Sequence, residues 1–414
     1  MAFPKDFLWG ASTASYQIEG GNSRSALWDW EVKRGWERSG EAARSWDMFE
    51  EDLKLIKSLN LNAYRFSLEW SRVETEPGVF DQEAIDRYAH WAKRLKAEGI
   101  KPFLCFHHFS EPAWLLREHP KGWLDPEVPK RYLAFVQKTA PFFAEHVEDW
   151  VTFNEPMVFL TGAYGYRFFP PGRWMLTNVD KEFNPIIVPN LARAHNDAYQ
   201  FLHKIQPKAR VGVAHNIAAL EPARPGQEEA VKRWDWFMHR HFLEETKDRH
   251  DYLGINYYTR VFVSPSPVPF APAGVIPGFA ELEHGITPLV FKLLGGRRGT
   301  LPRSGMNWEI APDSFGPMVL KFWQDYKKPI LILENGMAEN PNVSREDFLR
   351  GHLKSLAKAM DEGADVRGYF HWSLIDNYEW GSYRPRFGLF TRQRQKANGA
   401  DYYGRVAKTG VLDG

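Results

Sequence analysis

Eight short apolar runs, each bounded by a turn-forming residue or a charge, alternate along this chain with stretches whose apolar residues return every three or four positions, and that alternation leaves few architectures open. The runs cover residues 7–17, 63–70, 101–109, 149–156, 210–216, 251–259, 329–336 and 366–374. Segments 46–59, 81–98, 129–146, 188–205, 228–246, 314–326 and 345–362 carry helical spacing. In the first of these, Met48, Phe49, Leu53, Ile56 and Leu59 share a face, with acids early and lysines late as a helix dipole prefers. Strand and helix in regular alternation predict an α/β fold in which parallel strands close into a single (β/α)8 TIM barrel, one catalytic domain spanning residues 1–414. Two stretches rich in Gly and Pro interrupt the rhythm. Residues 161–185 read as a long loop at the C-terminal, working face of the barrel, and 261–312 as an insertion, because the alternation resumes after it.

Two of the runs end in the same way. Pro-Ile-Leu-Ile-Leu-Glu-Asn-Gly delivers Glu334 to its own end with Asn335-Gly336 as the stop, and Asp-Trp-Val-Thr-Phe-Asn-Glu-Pro delivers Glu155, closed by Pro156. A single glutamate past a strand is most simply a solvated loop residue. Parallel strands of one barrel, however, present their C-terminal ends on one face, so two such glutamates can meet across a cleft. Paired carboxylates in a cleft are the equipment of glycoside hydrolysis.

Bulk properties agree with a small neutral ligand. Lys and Arg total 53 against 52 Asp and Glu, a formal charge of +1 that gives no electrostatic case for nucleic acid or an anionic membrane. No apolar run approaches the roughly 20 residues of a membrane span, and the N-terminus lacks the basic and apolar regions of a signal peptide. With a lone cysteine, Cys105, no intramolecular disulfide can form, and a cytoplasmic location is expected. Aromatic residues make up 15% of the chain, with 17 Trp; most must be core, but rings beyond that need stack on the apolar faces of pyranoses. The pair His107-His108 raises a metal centre as an alternative. Successive strand residues face opposite sides, so one of the two at most reaches a common pocket, and neither metal nor cofactor is expected.

Six segments, in order, resemble the motifs of glycoside hydrolase family 1, the β-glucosidase family. They are Phe-Leu-Trp-Gly-Ala-Ser-Thr-Ala-Ser-Tyr-Gln-Ile-Glu-Gly near the N-terminus, Tyr64-Arg65-Phe66-Ser67, Thr152-Phe153-Asn154-Glu155-Pro156, Asn256-Tyr257-Tyr258, Leu333-Glu334-Asn335-Gly336, and the stretch from Trp372 through Asp376, Asn377 and Tyr378 to Glu379-Trp380. The resemblance implies a retaining, exo-acting β-glycosidase in which Glu334 is the nucleophile and Glu155 the acid/base. It implies that Arg65 and Tyr258 attend the nucleophile, that Gln17, His108, Asn154, Glu379 and Trp380 hold the sugar hydroxyls, that Trp372 floors the sugar site, and that Trp308 stands on the aglycone side. Two relatives of other kinds share the scaffold, 6-phospho-β-glycosidases and non-catalytic sugar-binding proteins. Glu379 would repel a phosphate dianion, which favours a neutral sugar. The chain departs from the family pattern at Phe109, where relatives often carry Trp, in a shortened stretch between Glu155 and Asn256, and after Thr391, where the motifs match poorly.

Overall fold

The eight apolar runs form eight parallel strands: β1 (Leu8–Ser12), β2 (Ala63–Ser67), β3 (Lys101–His107), β4 (Asp149–Asn154), β5 (Arg210–Asn216), β6 (Leu253–Tyr257), β7 (Ile330–Asn335) and β8 (Val366–Trp372). Each pairs with its neighbours in the sequence of strands, and β8 returns to β1, closing the barrel. They are seen in a computed structural model that describes residues 2–175, 179–266, 272–278 and 299–412. Every residue of β2, β4, β6 and β7 is buried, as strands sandwiched between a filled interior and an outer ring of helices must be. The interior holds Phe103, Cys105, Val151, Ala214, Leu333 and Phe370, with the Phe103 and Phe370 rings 4.9 Å apart. Gly10 on β1 leaves room for that filling, since a Cβ there would lie 2.4 Å from the Phe370 ring.

The helices follow from spacing and caps. Gln82–Ala97 buries Ile85, Tyr88, Trp91, Ala92 and Leu95, and Asp81 caps it by accepting from the Ala84 N–H at 3.0 Å. Val188–Ile205 matches its predicted limits, and Arg345–Asp361 starts at a Ser344 cap. The 228–246 segment is helical throughout, with one wider turn at Trp236–Arg240. The helix expected over 129–146 ends at Thr139, because Pro141 supplies no N–H to continue it; a 3-10 turn, Ala140–Phe142, follows.

Strand ends differ most from the sequence reading. The run 7–17 is a strand only to Ser12; Ser15–Ile18 makes a buried helical turn that carries Gln17, with the Gln17 and Ile18 N–H groups both bonded to the Ala14 carbonyl. The run 63–70 stops at Ser67 and turns into the helix Trp70–Val73. The expected loop 161–185 has helical turns at both ends, Thr161–Gly165 and Val179–Ile187. In the expected insertion 261–312, Arg260–Pro265 and Val275–Gly278 join Ala219–Pro222 in a three-stranded sheet; residues 267–271 and 279–298 of that stretch lie outside the described residues. Beyond Thr391 the helix Ala400–Thr409 bolts the barrel, its Tyr403 hydroxyl donating to the carbonyls of Gly10 (2.6 Å) and Tyr369 (2.9 Å).

Candidate active site

The register of both glutamate-bearing strands breaks just before the glutamate. β4 slips against β5 between Val151 and Asn154, and β7 slips against β6 between Ile332 and Glu334. Such irregularities bend a strand and re-aim its last side chains. At β4 the turn is completed by Glu155 itself, whose φ of 44° lies in the left-handed region, before Pro156 opens the short helix Pro156–Leu160. Phe109 (φ 68°) and Trp380 (φ 41°) share that conformation at the ends of neighbouring segments. Non-glycine residues pay about 1–3 kcal/mol for it, and the cost is met at sites where side-chain aim matters.

The breaks bring one network together. Arg65, buried in the middle of β2, donates through Nη1 to Glu334 Oε1 at 2.6 Å and through Nη2 to Asn154 Oδ1 at 2.7 Å. Tyr258 donates its hydroxyl to Glu334 Oε2 at 2.5 Å. Among the described residues no cation bonds to Glu155; its Oε1 takes the amide hydrogens of Asn256 (2.9 Å) and Asn216 (3.0 Å). Burial, then the nearby Glu334 carboxylate, pushes Glu155 up to about 8, against the pull of the two amides. Burial raises Glu334 as well, but Arg65 and Tyr258 pull it back. The surroundings of the pair are therefore unequal: a cation and a phenol serve Glu334, while two neutral amides serve Glu155.

A second group lies beside this pair. Gln17 Nε2 shares its two hydrogens among Glu379 Oε2, Asn377 Oδ1 and the Tyr378 carbonyl, each at 3.1 Å, while its Oε1 is buried with no partner among the described residues. Burial, then Glu334, pushes Glu379 up to about 8 in the free site. His108 stacks on Trp372 (5.6 Å, 19°) and on Trp380 (6.1 Å, 22°). Asn154 Oδ1 accepts from Arg65, so its Nδ2 must donate to His108 Nε2 at 3.1 Å; His108 then carries its hydrogen on Nδ1, which is also buried and unpartnered. Burial and Arg65 hold this imidazole well below its usual range, hence neutral. Trp308 sits farther out, its ring 5.3 Å from Tyr258. Every site residue read from the sequence thus lies in or against one cluster.

His107 turns away from it, packing on Phe159 (4.7 Å), Phe153 (5.4 Å) and Trp123 (6.2 Å) with Glu111 at 3.4 Å, so the two histidines do not converge on one ion. Among the described residues no helix is long and apolar enough to cross a membrane. Sequence reasoning missed Asn216, Asn256 and Asn377. The signal for the first two was their place at the ends of β5 and β6, one register step from the glutamates: Asn216 pairs with Asn256, and Asn256 with Glu334.

A parallel barrel whose C-terminal rim brings two carboxyls together in unequal surroundings, with stacked rings and buried polar atoms beside them, defines a glycoside hydrolase. The family model for glycosyl hydrolase family 1 matches residues 1–247 and 239–410, and the chain belongs to that family. The match passes Thr391, so the C-terminal end that the motifs left aside is part of it. The chain is similar to beta-glucosidase A of Thermotoga maritima, 29% identical over 99% of both chains, and to a beta-galactosidase of Pyrococcus woesei, 26% identical over 94% of this chain and 92% of that one. The beta-glycosidase structure from Pyrococcus horikoshii superposes with a TM-score of 0.88 at 31% identity, covering 100% of this chain and 96% of that one.

Proposed function

We propose that this β-glycosidase is exo-acting and retaining, and that the whole chain works as one catalytic unit removing terminal neutral sugars by double displacement. The observation that carries this is the asymmetry of the two glutamates. Glu334, with a guanidinium at 2.6 Å and a phenol at 2.5 Å, is kept as a carboxylate and attacks the anomeric carbon. Glu155, desolvated and held only by amides, keeps a proton for the leaving oxygen and later takes one from water. The bond from Glu334 to the sugar forms as the glycosidic bond breaks, and the second step reverses this with water.

Gln17, His108, Glu379, Trp372 and Trp380 support the choice of a neutral terminal sugar. Their unpartnered atoms, Gln17 Oε1 and His108 Nδ1, suit hydroxyl groups, and Glu379, bonded to the neutral Gln17, brings no cation for a phosphate dianion. Proton NMR of the hydrolysis of an aryl β-glucoside reads the stereochemistry directly. The β-anomer of glucose should appear first and mutarotate afterwards; release of the α-anomer first would mean inversion and would leave Glu334 without a nucleophile's role.

A further inference from the structure

Arg65 is the member of the site whose hydrogen-bond polarity chemistry alone fixes, because a guanidinium only donates. Asn154 Oδ1, which accepts from it at 2.7 Å, is thereby the amide oxygen. Asn256 approaches the same oxygen at 3.1 Å, so the atom it presents must be Nδ2. The shortest bond from that nitrogen goes to Glu155 Oε1, at 2.9 Å. Asn216, at the end of β5, donates from Nδ2 to the same Glu155 Oε1 at 3.0 Å. Oε1 of Glu155 therefore accepts twice, and a proton placed on that oxygen would have to displace one of these donors.

We propose that Asn256 and Asn216 are positioning residues that keep the acid proton of Glu155 on Oε2, the oxygen left to meet the departing glycosidic oxygen. The proposal rests on the reading of Glu155 as acid/base. In the first step the Oε2 proton passes to the leaving oxygen as the C–O bond breaks and the Glu334 carboxylate closes on the anomeric carbon; Glu155 becomes a carboxylate whose Oε1 keeps both amides. In the second, water gives a proton to Oε2 and its oxygen to the anomeric carbon as the bond from that carbon to Glu334 breaks and Glu334 leaves as a carboxylate. The polarity of the chain from Arg65 is the same in both states, so the proton returns to the oxygen it left.

Asn216 is the better handle, because Asn256 also lies beside Glu334. The test compares kcat/KM for phenyl and 2,4-dinitrophenyl β-glucosides across pH in Asn216→Ala, Asn216→Asp and Glu155→Ala. The phenyl substrate needs a proton on its leaving group and the dinitrophenyl substrate does not. In Asn216→Ala the loss on the phenyl substrate should exceed that on the dinitrophenyl one by roughly tenfold, one hydrogen bond to a charged group. Its alkaline limb should move up by about half to one pH unit, since the lost donor favoured the carboxylate. Asn216→Asp should move the limb further, through its added charge. Equal losses on both substrates with an unmoved limb would overturn the proposal, while Glu155→Ala reports on the reading beneath it. If Glu155→Ala spares dinitrophenyl but not phenyl glucoside, the reading stands whatever Asn216 does; if it spares both, reading and proposal fall together.

Discussion

Tyr258 and Arg65 meet opposite oxygens of Glu334, so they can be separated by mutation. Tyr258→Phe removes one donor to the carboxylate and leaves the ring in place against Trp308. We expect kcat/KM to fall by roughly ten- to a hundredfold, about 1.5–3 kcal/mol for a bond to a charged group. The acid limb should move to higher pH, because the lost donor stabilised the ionised form. A pH profile with an aryl β-glucoside checks both; an unmoved acid limb would place the ionisation of Glu334 on Arg65 alone. The glutamates were legible in the sequence because both close an apolar run, and Arg65 and Tyr258 through the motifs that resemble family 1. Asn216 and Asn256 were not, since an asparagine at a strand end is ordinarily a cap. Their partners lie on other strands, and the direction of their bonds exists only once Arg65, Asn154 and Asn256 are adjacent.

Among the elements, β7 has the tightest surroundings at its working end. A Cβ on Gly336, two residues past Glu334, would lie 1.9 Å from the Trp372 carbonyl oxygen on β8. Gly336→Ala must therefore push β7 and β8 apart where they carry Glu334 and Trp372. The barrel should survive with its helical circular dichroism intact, while kcat/KM falls by about a hundredfold, as a displacement near 1 Å can cost. Activity near that of the parent would show that the strand ends can give way without moving the carboxylate. Strand centres and helices such as Val188–Ile205 were legible because periodicity is a property of their own residues. The last residues of each strand were not. Register breaks at Asn154 and Glu334, and the left-handed turn at Glu155, are set by neighbouring strands and leave no local period. Thr161–Gly165 and Val179–Ile187 hid in the same way, behind Gly, Pro and aromatic composition.

At the scale of the whole molecule the barrel buries several carboxyls at a cost. Burial pushes Glu155 and Glu379 up to about 8, Glu19 to about 7 and Asp52 to about 6. In each the folded pKa exceeds the unfolded one, so the folded chain binds more protons and stability falls as pH rises through that interval. Asp235, held well below the usual range by His239 and Arg240 despite its burial, acts oppositely and loses its contribution in acid. Buried histidines held low, among them His195, His215, His352 and His371, add stability as pH rises toward their unfolded range near 6.5, so the decline due to the carboxyls should show from about pH 7 to pH 8. Glu155→Gln removes one of the penalties, and its gain over the parent should grow with pH by up to about 1.4 kcal/mol per unit between 4.5 and 8. Calorimetric scans at several pH values test this; parallel curves for the two proteins would mean that Glu155 is not protonated in the folded chain. The barrel itself was legible at this scale, since eight strands in alternation admit little else. The burial of so many acids was not, because it depends on how closely the segments at the rim are packed.

The central claim assigns different roles to two glutamates that both end barrel strands, and azide rescue separates them. In Glu155→Ala, an activated aryl β-glucoside should still load Glu334 and then stall, and added azide should restore turnover with a β-glycosyl azide as product. In Glu334→Ala, no covalent intermediate can form, and azide entering from the vacated face should give the α-glycosyl azide. If the two variants exchange these products, the nucleophile is Glu155 and the assignment drawn from Arg65 and Tyr258 is contradicted.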